Sequence, residues 1–159
     1  MIINIFFTCI LLYLLILISK EDIKTMLISE KKLSIFALFG ILYLVFLLLS
    51  DNEVNSTELM LNNFFPVLII FLIMYSIKYI SYELLKTNSL GLGDIKLSSY
   101  SSIWLGVEMC FISLCISFVL SALYSLNGKI TKDFKSFHQY PFAPFLSIGI
   151  FCSWLLDKI

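Results

Sequence analysis

The chain has 159 residues, of which 60% are hydrophobic and only 14% charged, with a mean hydropathy of +0.97 and a formal net charge of zero. Soluble domains hold nearer ~45–50% apolar residues, so the composition excludes an ordinary soluble domain and describes an integral membrane protein whose surroundings are the lipid bilayer. All eleven basic residues are lysines and none form a basic block, so no nucleic-acid partner is implied.

Apolar runs occupy 2–18, 33–50, 64–80, 95–105, 107–126 and 141–156. Most approach the ~20 residues that a helix needs to cross a bilayer, which predicts an all-α, polytopic transmembrane helix bundle of about six spans in a single domain over residues 1–159. The first run follows Met1 with no basic stretch before it and no small-residue cleavage pattern, so it is expected to be retained. The run 95–105 is the weakest, being short and rich in serine (Ser98, Ser99, Ser101, Ser102). It should therefore be sheltered by the bundle, where small hydroxyl residues allow close packing. Between the second and third runs, 51–63 reads as a polar loop.

Lysine placement sets the expected orientation. Lys20, Lys24, Lys31 and Lys32 flank the first connection, Lys86 the third, and Lys129, Lys132 and Lys135 the fifth. The second connection holds Asp51, Glu53 and Glu58 without a lysine, and the fourth, around 106–108, has none either. By the positive-inside rule the lysine-bearing connections face the cytoplasm and both termini lie outside.

Cys9, Cys110, Cys115 and Cys152 each lie within apolar sequence, form no Cys-x-x-Cys pair, and accompany only one histidine, His138, which is expected in a cytoplasmic connection. A Cys/His zinc site is not expected. The cysteines read as small apolar helix residues, and no cofactor or metal is assigned. A His-Glu-x-x-His string is absent and no Ser/His/Asp set surrounds the single histidine, which turns the reading away from metal and serine peptidases.

The chemistry-bearing stretch is Gly91-Leu92-Gly93-Asp94-Ile95-Lys96-Leu97, which puts a carboxylate and two flexible glycines, Gly91 and Gly93, at the mouth of an apolar segment. An ionisable group at a bilayer boundary is rare unless it is paired, faces water or does chemistry. The expected topology brings Asp94 to the same face as Asp22, which follows the first run within Lys20-Glu21-Asp22-Ile23-Lys24. Two carboxylates that approach one another share a proton. The charged member can then take a proton from water while the protonated one polarises a carbonyl. Lys96 reads as a snorkelling or topology-setting lysine. Two other readings stay open at this level. One is a small proton-coupled transporter using the same acids, and the other a non-catalytic assembly subunit.

With Asp22, the Gly91-Leu92-Gly93-Asp94 string and the run Tyr140-Pro141-Phe142-Ala143-Pro144-Phe145-Leu146, the chain resembles the prepilin peptidase family, membrane aspartic proteases that carry a Gly-x-Gly-Asp motif. The resemblance implies that Asp22 and Asp94 are the catalytic pair, with Gly91 and Gly93 supporting the motif. It implies an aspartic endopeptidase that removes the short leader of type IV pilin-like precursors at the cytoplasmic face of the cell membrane. Two departures stand out: Ile28-Ser29-Glu30 replaces the family's Ile-Pro-Asn after the first aspartate, and Ala143 replaces the customary glycine of Pro-Phe-Gly-Pro-Phe-Leu. Longer relatives carry two Cys-x-x-Cys pairs and also N-methylate the new amino terminus. Neither that zinc-binding segment nor methyl transfer is expected here, so the likeness is to the short, peptidase-only type found with tight-adherence pili. The Pro141 run reads as the opening of a helix, with Pro144 still in its first turn, and carries no catalytic role.

Overall fold

The computed structural model describes residues 2–50, 56–86, 90–131 and 140–158. Five helices follow one another: α1 (Ile2–Thr25), α2 (Glu30–Ser50), α3 (Ser56–Leu85), α4 (Leu92–Ile130) and α5 (Ala143–Asp157). Among the described residues there is no strand. Helices suit this composition because a backbone surrounded by lipid must satisfy its own N–H and C=O groups. Four of the five are long and apolar enough to cross a membrane, and α5, with 15 residues, is shorter.

The six expected spans are not matched by six helices of crossing length. The runs 95–105 and 107–126 belong to α4, whose backbone is non-helical at Gly106 (φ 74°, ψ −179°). This is a region of backbone space open essentially to glycine alone, and it reverses the chain. Cys110 Sγ lies 3.6 Å from the carbonyl oxygen of Ser98 and 3.2 Å from Ser101 Oγ, whereas twelve positions along a straight helix span about 18 Å. The two arms of α4 therefore run back to back. The first, 92–105, covers roughly 21 Å at 1.5 Å per residue, short of the ~30 Å hydrocarbon thickness.

Other boundaries also differ from expectation. Residues 56–63 form the first two turns of α3 rather than a loop. They are drawn into the helix by tertiary contact: Asn63 is buried and donates through Nδ2 to the carbonyl oxygen of Ile103 at 3.0 Å, while Ser102 Oγ lies 3.3 Å from the Asn63 carbonyl oxygen. Helix α1 continues past residue 18 to Thr25, so Asp22 sits on its last turns. Helix α5 starts at Ala143, with Phe142 as its N-cap. Pro141 thus precedes the helix and Pro144 lies in its first turn, where a missing N–H costs nothing. Asp51, Glu53, Asn88, Ser89, Lys132, Lys135 and His138 lie outside the described residues.

Ser98, Ser99, Ser101 and Ser102 are all buried, and each hydroxyl donates to a carbonyl three or four residues back in its own helix, at 2.7–2.8 Å. Their polarity is thereby satisfied inside a lipid-embedded bundle. The core centres on Trp104, whose indole N–H donates to the carbonyl of Phe36 at 3.1 Å and whose ring meets Tyr43, Trp154 and Phe7 at 6.0, 5.7 and 6.5 Å. Gly40 makes room for it, since a β-carbon there would stand 2.8 Å from Trp104 Nε1. Water exclusion does not drive helices together in lipid, so contacts of this closeness, with the buried hydrogen bonds, hold the bundle. Trp104 joins α1, α2, α4 and α5 near the Gly106 end. The opposite end is where α1 and α3 finish and α2, α4 and α5 begin.

Candidate active site

Asp22 and Asp94 come to that opposite end from two different helices. Helix α1 is ended just beyond Asp22 by Met26, whose φ of 52° is left-handed and whose N–H still donates to the Asp22 carbonyl at 2.8 Å. A left-handed residue of this kind is a common helix terminator. The following turn is tied back onto α1. Glu21 Oε2 accepts the Ser29 N–H at 3.1 Å and lies 3.4 Å from Lys32 Nζ, and Thr25 Oγ1 accepts the Leu27 N–H. The Ser29-Glu30 departure therefore leaves an ordered loop, held by hydrogen bonds instead of by a proline's fixed φ.

The loop delivers Ile28 onto Gly93. A β-carbon on Gly93 would stand 2.9 Å from Ile28 Cβ, closer than real Cβ contacts come, so glycine is required for α4 to approach the α1–α2 loop. Gly91 is the N-cap of α4, in extended conformation, and has no side-chain cap. The Asp94 carboxylate folds back over it: a β-carbon on Gly91 would meet Asp94 Oδ2 at 3.1 Å. Both glycines of the motif thus serve close approach, one of loop to helix and one of carboxylate to backbone.

The two acids are both withdrawn from the surface, Asp22 being 4% exposed and Asp94 8%. Both lie at the end of the bundle where the loop after α1 packs on the start of α4. Asp94 Oδ1 is buried without a hydrogen-bond partner among the described residues. Asp22 Oδ2 accepts the backbone N–H of Ala143 at 3.0 Å. Lys96 points elsewhere, pairing with Glu30, the residue that stands where the resemblance expects asparagine. It offers the acids no direct contact, and the pair ties the start of α4 to the start of α2.

The contact that sequence reasoning missed is the Ala143 N–H. Nothing local marks it, because the donor is a main-chain group 121 positions from its acceptor. The only signal was the Pro-Phe-Ala-Pro run itself. A cleft of about 1030 Å³ lined by Glu58, Asn62, Pro66, Glu108 and Asp157 lies at the Gly106 end, away from both aspartates. Among the described residues no group of three or more His, Cys, Asp or Glu side chains is placed to hold a metal ion.

Two buried carboxylates at one end of a bundle, one of them held by a backbone donor, are of a type that can share a proton and activate water when they pair. No curated protein and no solved structure matches the chain. A family model does match, over residues 9–126, which include Asp22, Gly91, Gly93 and Asp94 and end before the Pro141 run. With most of its length matched, the chain belongs to the type IV leader peptidase family.

Proposed function

We propose that the protein is an aspartic endopeptidase that removes the leader of type IV pilin-like precursors, with Asp22 and Asp94 as the catalytic pair. What supports this reading is the placement of two buried acids, from the end of α1 and the start of α4, at the same end of the bundle, where the α1–α2 loop packs on Gly93. One carboxylate accepts a proton from water, and the resulting hydroxide equivalent attacks the scissile carbonyl. The other, protonated, donates a hydrogen bond to the carbonyl oxygen. The tetrahedral adduct collapses as a proton passes to the leaving amine, and the pair returns to its singly protonated state.

The lysines at 20, 24, 31 and 32 around the α1–α2 loop support a cytoplasmic position for this end of the bundle. In this reading the chain makes six crossings of the cell membrane. The arms of α4 are two of them, the short first arm is sheltered by its neighbours, and α5 is the last. Water reaches the site from the cytoplasmic boundary, and the precursor's apolar helix packs against the bundle with its leader at the dyad. One peptidase domain, without methyl transfer, accounts for the chain.

The test is co-expression with a neighbouring pilin-like precursor in a host lacking other prepilin peptidases, followed by sequencing of the mature amino terminus. Cleavage by the wild-type chain, and its loss in Asp22→Asn and Asp94→Asn at equal membrane abundance, is the expected result. Processing that persists in either variant would overturn the assignment.

A further inference from the structure

Helix α5 has no cap of its own. Its N-cap, Phe142, makes no side-chain hydrogen bond, and its first turn contains no acid. The first N–H groups of any helix lack intrahelical partners and must find them elsewhere. Here one finds Asp22, a carboxylate from α1, which receives the Ala143 N–H on Oδ2 at 3.0 Å. Among the described residues no lysine forms an ion pair with Asp22, since Lys32, Lys86, Lys96 and Lys158 each pair with another acid. The adjacent Lys20 and Lys24 are exposed. A buried carboxylate needs hydrogen-bond donors, and this one takes a main-chain donor that cannot swing away.

The donor is held in place. Ala143 is fully buried, and the Phe142 ring packs on Phe118 with centroids 5.4 Å apart. One turn further on, Ser147 Oγ and Ser19 Oγ are hydrogen-bonded at 2.8 Å, and Ser147 Oγ reaches the Leu15 carbonyl at 3.4 Å. Helix α5 is thereby clamped to α1 directly below the Asp22 contact, and sliding of either helix would break the bond.

We infer that the first turn of α5, through the Ala143 N–H, is a positioning element for catalysis: it fixes the Asp22 carboxylate through Oδ2. This rests on the assignment of Asp22 to the catalytic pair. It gives the Pro141 run a role in the reaction that the run's side chains do not supply. It also explains how Ala143 can stand in for glycine, since the contribution is made by the main chain and both residues have the same donor.

The test uses the full chain in detergent micelles. The sequence has three alanines, Ala37, Ala122 and Ala143, so labelling with ¹⁵N-alanine yields three amide signals, and Ala143 is identified by its absence in Ala143→Gly. The Ala143 amide proton is expected downfield in the wild type and to move upfield in Asp22→Ala, with the other two signals unmoved. Ala143→Pro deletes the donor at a helix position that accepts proline. It should lower kcat ~10–100-fold, the rate equivalent of one hydrogen bond to a charged group, with KM for the precursor unchanged. Ala143→Gly keeps the donor and should keep the rate. An Ala143 amide indifferent to Asp22→Ala, or wild-type kcat in a folded Ala143→Pro, would overturn the positioning role. If Ala143→Pro does not fold, the amide shift decides alone. Absence of cleavage by the wild type would defeat the peptidase reading while leaving the amide shift to decide the contact.

Discussion

Ile28 rests directly on the backbone of Gly93, so that a β-carbon at position 93 would lie 2.9 Å from Ile28 Cβ. The contact brings the loop after Asp22 against the helix turn that carries Asp94. Gly93→Val should force the loop away, at a cost of about 1–3 kcal/mol for overpacking, and should lower precursor cleavage more than it lowers the thermal midpoint in detergent. Ile28→Ala in the same chain should recover part of both losses. A double variant no better than Gly93→Val would mean that the glycine is needed for some other reason.

The paired acids should behave as one unit. Asp22→Asn and Asp94→Asn are each expected to abolish cleavage, since an amide keeps the size of the side chain but cannot cycle a proton. The double variant should be scarcely worse than either single one. Single-turnover rates on a purified precursor measure this, and additive losses would separate the two residues into independent roles.

Lys96 is committed to Glu30, and the Glu30 side chain is 71% exposed. Exposed pairs contribute little to stability. Lys96→Ala and Glu30→Gln should therefore leave the melting temperature close to wild type and reduce cleavage far less than either aspartate variant. Loss of cleavage in Lys96→Ala comparable to that in Asp94→Asn would place the lysine in the reaction.

Gly106 turns the two arms of α4 back on each other at φ 74°, and a β-carbon there would also stand 2.7 Å from Asn62 Nδ2. Gly106→Ala should destabilise the protein by on the order of 1–3 kcal/mol, the cost of a backbone conformation that side chains avoid. Because the turn lies at the far end of the bundle from Asp22 and Asp94, cleavage per folded molecule should be retained. Thermal unfolding in detergent, set beside activity corrected for folded fraction, checks both halves.

Composition and the length of the apolar runs determined the all-helical, membrane-embedded class, because a backbone in lipid must bond within itself and runs near ~20 residues suit helices that cross. The Gly91–Asp94 string and Asp22 were legible as candidate chemistry, since an acid at a bilayer boundary is costly unless it serves some purpose. The serines of 98–102 announced a sheltered segment, and all four are buried. Apolar runs fix where helices lie but not how far they extend. Polar residues 56–63 joined α3 only because Asn63 finds partners on α4, and α1 carried on to Thr25 until Met26 turned left-handed.

What only the tertiary structure decided is the identity of the groups around the acids. The Ile28 contact with Gly93, the Glu21 bond that orders a loop without its proline, and the Ala143 N–H on Asp22 all join residues on different elements or across a turn. Main-chain donors leave no trace in residue type, and a close approach shows in sequence only as a glycine whose partner is unnamed. Hydropathy and spacing record what each segment does against lipid. Which segments meet is set by packing between helices, where small differences in contact decide the arrangement.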